Sequence, residues 1–174
     1  MKRMYISLFG GKKNIDRCIQ QLEQYKVELN NKTERLVEEL SKIGIKALDA
    51  HIGTISSFYS GDLSTEVGHL RKEGDRWICE IIMSGKQCVF VEFGAGVTFN
   101  TPVGGSKHPK GQELGLTIGS YNPSSPNASN PLGWWYTDEW GKSQHTYGTP
   151  TFAPMYKSSM EMMLAIQSVA KGVF

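Results

Sequence analysis

The chain has 174 residues, of which 39% are apolar and 19 are glycine, and a formal net charge of +2 from 19 Lys and Arg against 17 Asp and Glu. That length suits one domain with a real core, and the modest apolar share together with the glycines reserves part of the chain for loop. The near balance of charge argues against a general nucleic-acid binder, and 3 cysteines without a CxxC pair argue against a disulfide framework or a zinc site.

Met1 to Phe9 places Lys2 and Arg3 before a short apolar patch. The patch is shorter than the core of a signal peptide, and no stretch approaches the length needed to span a bilayer. The expectation is a soluble protein made in the cytosol. Cys18, Cys79 and Cys88 then read as small buried hydrophobes.

The first strong element is a helix predicted over Lys12–Gly44. Apolar residues recur at Ile15, Cys18, Ile19, Leu22, Tyr25, Leu29, Leu36, Val37, Leu40 and Ile43, mostly three or four apart. At ~1.5 Å per residue it spans about 45–50 Å, long for a small domain. Asn30-Asn31-Lys32-Thr33 weakens the apolar face and predicts a bend, and Gly44 marks an end.

Strands are predicted near Ser64–Arg71 and over Arg76–Met83, with Lys72-Glu73-Gly74-Asp75 as the hairpin turn between them. Val89–Phe93 is a further short apolar run, closed by Gly94-Ala95-Gly96. Residues 97–148 form a long loop inside a single domain of residues 1–174, and the stretch from Gly94 to Gly148 is rich in Gly, Pro, Ser and Asn. Within the loop, Gly133–Thr137 and Gln144–Gly148 read as the arms of a hairpin turned by Asp138–Lys142. A final helix is predicted over Met155–Lys171, capped by Thr151 and with Pro154 in its first turn. Met160 and Met163 are placed in its core face, and Met155 or Met162 toward a neighbour. The fold class is therefore α+β: a long N-terminal and a C-terminal helix packed on a small antiparallel sheet, with a Gly/Pro-rich loop carrying an aromatic hairpin.

Enzyme signatures are missing: no GxGxxG after a strand, GxxxxGK[ST], HExxH or GxSxG occurs. His51, His69, His108 and His145 are scattered without ligand spacing, and His108 lies among Lys107 and Lys110, which disfavour a bound cation. No metal or cofactor is expected. His145 with Asp138 or Glu139 is the best candidate for acid–base work, as in a small hydrolase, but no nucleophile accompanies it. The aromatic group Trp134, Trp135, Tyr136, Trp140 and Tyr147 carries more information. It reads as a glycan or nucleobase stacking platform, as a segment folded back on its own domain, or as an inter-subunit contact. Stacking on nucleic acid calls for interleaved Lys and Arg, and Lys142 alone is a weak match. On the contact reading, replacing Trp134 and Trp135 by Ala leaves the monomer folded.

Two motifs and their order carry a resemblance. Val89-Phe90-Val91-Glu92-Phe93-Gly94 follows the small β region, and Pro150-Thr151-Phe152-Ala153-Pro154 leads into the last helix. With the long first helix and Ser60-Gly61-Asp62-Leu63, the chain resembles the tail-component family of Hong Kong-type siphophages, whose members act at the head–tail joint. The resemblance runs over nearly the whole chain, apart from the long loop with its tryptophans. It implies a non-enzymatic virion protein, a neck or tail-completion subunit. Such a protein forms a six-fold ring and contacts the head connector or adaptor and the tail tube or tail terminator. It implies no membrane and no specific nucleic acid, and residence in the host cytoplasm before assembly into the virion. Interface residues are expected from the residues themselves at Glu92, Phe93 and Gly94 and, on the contact reading, in the aromatic hairpin, whose role the resemblance does not supply. Glu92 reads as a ring charge or as an ordinary strand surface residue. The Gly-Ala-Gly turn lets a neighbour approach closely.

Overall fold

The first helix, α1 (Gly11–Gly53), is 43 residues long, or about 64 Å at ~1.5 Å per residue. The computed structural model describes residues 11–94, 108–111, 113, 134–146 and 149–174, and α1 is unbroken through both predicted interruptions. At Asn30–Thr33 the polar residues are put to use. Thr33 Oγ1 donates to the Leu29 carbonyl at 2.8 Å, and Asn30 Oδ1 accepts from Lys72 Nζ. Gly44 is a notch and not a stop. A Cβ there would overlap Met162 Sδ and Ile81 Cδ1, so the missing side chain admits the last helix and the sheet. Ser41, Gly44, Ala47 and Leu48 form the buried face of α1.

Gly44→Val is expected to push the two helices apart and to cost roughly 1–3 kcal/mol. Chemical unfolding checks it, and Gly53→Val, where a Cβ meets nothing within 4 Å, is the control for valine in the helix.

After one turn of helix, α2 (Ser57–Ser60), the chain enters the predicted hairpin. It is interrupted where two continuous strands were expected. β1 (Ser64–Val67) pairs antiparallel with β4 (Ile81–Ser84), and β2 (Arg71–Glu73) with β3 (Arg76–Ile78). The two-residue turn is Gly74-Asp75, with Gly74 at φ 60°. Val67 faces Ile81 and Arg71 faces Ile78, so residues 68–70 oppose residues 79–80. This is a β-bulge, one extra residue that kinks the ribbon. The Gly68 N–H donates to the Glu80 carbonyl at 2.8 Å across it. The ribbon lies along α1, tied by Thr65 Oγ1 donating to Asp49 Oδ1 at 2.5 Å and by Lys72 to Asn30.

The apolar run before Gly94 is a short helix, α3 (Cys88–Phe93), with no strand character. The aromatic hairpin forms as expected: β5 (Trp134–Thr137) pairs antiparallel with β6 (Ser143–Thr146). Apart from residues 108–111 and 113, the rest of the predicted loop, and with it Tyr147, lies outside the described residues.

The last helix is α4 (Pro154–Val173). It runs antiparallel to α1: Ser158 Oγ donates to the Gly44 carbonyl at 2.6 Å, and the Phe174 carbonyl meets Lys32 at 3.5 Å. That contact sets the rotation of α4 and reverses the methionine expectation. Met155 and Met162 are half-buried, and Met160 and Met163 are 38% and 62% exposed. The small notch at Gly44 draws the Ser158/Met162 face inward and turns the other out. The three cysteines are half-buried, less enclosed than predicted.

The core lies where the C-terminal half of α1, α3 and the start of α4 meet. Leu48, Val91 and Pro154 are the largest fully buried side chains there.

Candidate functional site

The two motifs that carry the resemblance form one joint. The Val91 carbonyl of α3 accepts the N–H groups of Phe152 at 2.9 Å and Ala153 at 3.4 Å. Thr151 Oγ1 donates to the Phe93 carbonyl at 2.9 Å, so Thr151 does not cap α4 as predicted. The cap is supplied from a distance in sequence. Glu92 Oε2 accepts the Met155 N–H at 2.8 Å, and Glu92 Oε1 accepts the Tyr156 N–H at 2.9 Å. Ala153, the residue before the helix, is left-handed at φ 52° and offers no side-chain cap. A carboxylate held on two backbone N–H groups at a helix N-terminus satisfies unpaired donors and meets the positive end of the helix dipole.

Glu92 is therefore no surface charge of a ring or a strand. It is 6% exposed, because helical α3 turns it toward α4 where a strand would have turned it to solvent. His108 is buried beside it and brings Nε2 within 2.8 Å of Glu92 Oε1. The Lys110 N–H donates to His108 Nδ1 at 3.0 Å, so Nδ1 is an acceptor and the ring proton sits on Nε2, aimed at the carboxylate. The His108 ring is wedged between Phe93, at 4.5 Å between centroids, and Tyr156, at 5.4 Å. No spacing in the sequence points to this histidine, which reads there only as lying among positive charges that disfavour a cation. With Nδ1 bonded to the Lys110 backbone and Nε2 to Glu92, the histidine ties the segment at residue 108 to α3 and, through Glu92, to the start of α4. A shallow cleft of about 400 Å³ opens beside it, lined by Met83, Cys88, Val89, Tyr156 and Ser159.

Gly94 closes the joint at φ 80° and ψ 164°. A Cβ there would stand 2.5 Å from Thr151 Oγ1. The close neighbour that this glycine admits is its own chain.

The aromatic hairpin is the second feature. Trp135 is 69% and Trp140 81% exposed, so these two expected interface residues do face outward; Trp134 and Tyr136 take their places on β5. Asp138 builds the turn, accepting the N–H groups of Trp140 at 3.0 Å and Lys142 at 2.8 Å and the Gln144 amide at 3.1 Å. Those donors, Gln144 foremost, hold its carboxyl below the ordinary aspartate value. Glu139 reaches Lys86 at 2.8 Å, an exposed ion pair that links the hairpin to the end of β4. His145 stacks edge-on against Trp135 at 5.0 Å. Of the residues named for acid–base work, Asp138 thus holds the turn, Glu139 pairs with Lys86 and His145 lies against Trp135.

The third feature is an apolar surplus. Among the described residues only Ala47, Leu48, Ile55, Val91 and Ala153 are buried hydrophobics, whereas Ile15, Ile19, Leu22, Tyr25 and Leu29 on α1 are all 40–61% exposed. Scattered exposed leucines are ordinary, but a continuous stripe along one helix is not. No group of three metal-ligating side chains occurs among the described residues, and no described helix is long and apolar enough to cross a membrane. Neither a known protein family, nor a curated protein, nor a solved structure matches the chain.

Proposed function

We propose that this chain is a structural virion protein of a long-tailed bacteriophage, a neck or tail-completion subunit at the head–tail joint. It acts by geometry: copies assemble into a ring, six-fold by the resemblance, that docks on the head connector or adaptor and on the tail tube or tail terminator. No residue is assigned a catalytic role. The observation that carries the reading is the surplus of exposed apolar surface, which runs along α1 and recurs at Trp135 and Trp140. A surface of this kind belongs to a subunit that completes its burial against other chains. The joint between α3 and α4 supports the reading in a second way, because it unites both motifs of the resemblance.

In particles purified from the parent phage, the chain is expected at the neck in a fixed low copy number. Inactivating its gene is expected to leave filled heads and separate tails. Its absence from purified particles would overturn the reading.

Trp135→Ala with Trp140→Ala is expected to leave the fold intact, with stability within roughly 0.5 kcal/mol of wild type, and to abolish docking to heads or tails. Circular dichroism and a head–tail joining assay measure the two halves. The same exposed pair also suits a stacking platform for sugars or bases. Glycan or salt-sensitive DNA binding that disappears in this double variant would favour that alternative.

A further inference from the structure

Among the described residues one buried side-chain polar atom has no hydrogen-bond partner, the indole Nε1 of Trp77. A buried N–H left unpaired costs its full desolvation, and an acceptor brought to it recovers that cost. Trp77 stands at the wall of a cleft of about 390 Å³ between α1 and the β2–β3 hairpin. Lys26 and Asn30 line the cleft from α1, four residues apart and so on one face, and Lys72 and Asp75 line it from the hairpin. The polar interruption in the apolar stripe of α1 begins here, at Asn30.

The charges in the cleft are not balanced. Two lysines stand against one aspartate, which leaves a surplus of one positive charge. Neither Lys26 nor Lys72 forms an ion pair among the described residues. Lys72, opposite Trp77 in the strand register, donates to the Asn30 Oδ1 amide oxygen, and its Nζ lies 5.6 Å from the centre of the Trp77 ring. A neutral amide oxygen is a weaker acceptor for an ammonium group than a carboxylate. Beside these polar groups, Val27 and Leu29 line the same cleft and are 59% and 41% exposed.

We propose that this cleft binds a small organic carboxylate. The carboxylate takes the Trp77 Nε1–H and the ammonium groups of Lys72 and Lys26, and the hydrocarbon body lies on Val27 and Leu29. Lys72, which is exposed, swings from Asn30 to the ligand and opens the indole edge as it does so. The ligand then supplies the acceptor that Trp77 lacks and the counter-charge that the lysines lack. A single positive surplus matches a monoanion, and the apolar wall favours a ligand with a hydrocarbon part, so inorganic phosphate is the poorer fit on both counts. The site stands independently of the virion reading.

The test follows the Trp77 indole N–H by heteronuclear NMR of the full chain as hexanoate is added, with Trp77→Phe to assign the resonance. The resonance is expected to move downfield and to saturate. Hexanamide, with the same body and no charge, and phosphate, with charge and no body, are each expected to bind about tenfold more weakly or worse. Lys72→Met and Lys26→Met, both at exposed positions, are expected to fold as wild type and to weaken hexanoate binding roughly threefold to fivefold. An indole resonance that stays in place up to tens of millimolar hexanoate overturns the proposal. Equal binding of hexanamide overturns it too, since the cleft is then a plain apolar hollow, and so do tighter binding of phosphate or an unchanged affinity in Lys72→Met.

Discussion

Glu92→Ala is expected to lower stability by roughly 3–5 kcal/mol, the largest loss of any single carboxylate in the chain. For a protein of this size that corresponds to melting about 6–20 °C earlier. Three donors lose their acceptor at once: the N–H groups of Met155 and Tyr156 and the Nε2–H of His108. All three converge on a side chain that is 8% exposed, where water cannot readily replace the missing oxygens, and a buried donor left unsatisfied costs its full desolvation. Glu92→Gln separates charge from shape. It keeps one oxygen for the helix N-terminus but turns an NH2 group on a neighbouring donor, so its loss should fall between wild type and Ala. Glu80→Ala, which removes an exposed partner of Arg71, should change stability little. Thermal and chemical unfolding of the three variants order them. If Glu92→Ala unfolds together with Glu80→Ala, the joint does not hold α4 in place.

The same residue shows where reading from sequence stops. The helices α1 and α4 are visible because their apolar residues repeat with the helical period over many turns. Both hairpins are visible because Gly74-Asp75 and Asp138–Lys142 carry turn chemistry between β formers. Val89–Phe93 is too short to show any period, and its state is decided from outside: the Val91 carbonyl is taken by Phe152 and Ala153, and the Glu92 carboxylate by α4. Gly44 illustrates a second limit. A glycine in a helical pattern reads as a stop, but here it is the point of closest approach between α1, α4 and Ile81, which only packing reveals. The bulge at residues 68–70 is a third case, since one extra residue shifts the pairing without changing the β character of either strand. His108 carries no signal at all, because its partner Glu92 lies 16 residues away with no motif between them. The exposed stripe on α1, by contrast, was fully visible as a pattern. What the pattern lacks is where α4 ends, at Lys32, beyond which the stripe from Ile15 to Leu29 stays 40–61% exposed.

Gly94→Ala is expected to cost about 3–4 kcal/mol, and it decides whether the space beside the glycine is used by its own chain or left open to another. Two effects add. The backbone at φ 80° and ψ 164° lies in a region that is essentially reserved to glycine. The new Cβ would also stand 2.5 Å from Thr151 Oγ1 and 3.2 Å from both the Thr149 carbonyl oxygen and the Thr151 nitrogen. Thr151 cannot yield without giving up its hydrogen bond to the Phe93 carbonyl, so the strain passes into the joint that holds α4. Gly141→Ala is the uncrowded control, since Gly141 also has a positive φ, 77°, with nothing within 4 Å of a Cβ; its loss should be about 1 kcal/mol. Adding Thr151→Ala to Gly94→Ala removes the nearest contact and should recover part of the deficit, so that the two changes are not additive. Equal melting of Gly94→Ala and Gly141→Ala would mean that the space beside Gly94 is open in the free subunit and available to another chain. A markedly lower melting temperature for Gly94→Ala means that the close approach is consumed within the chain itself.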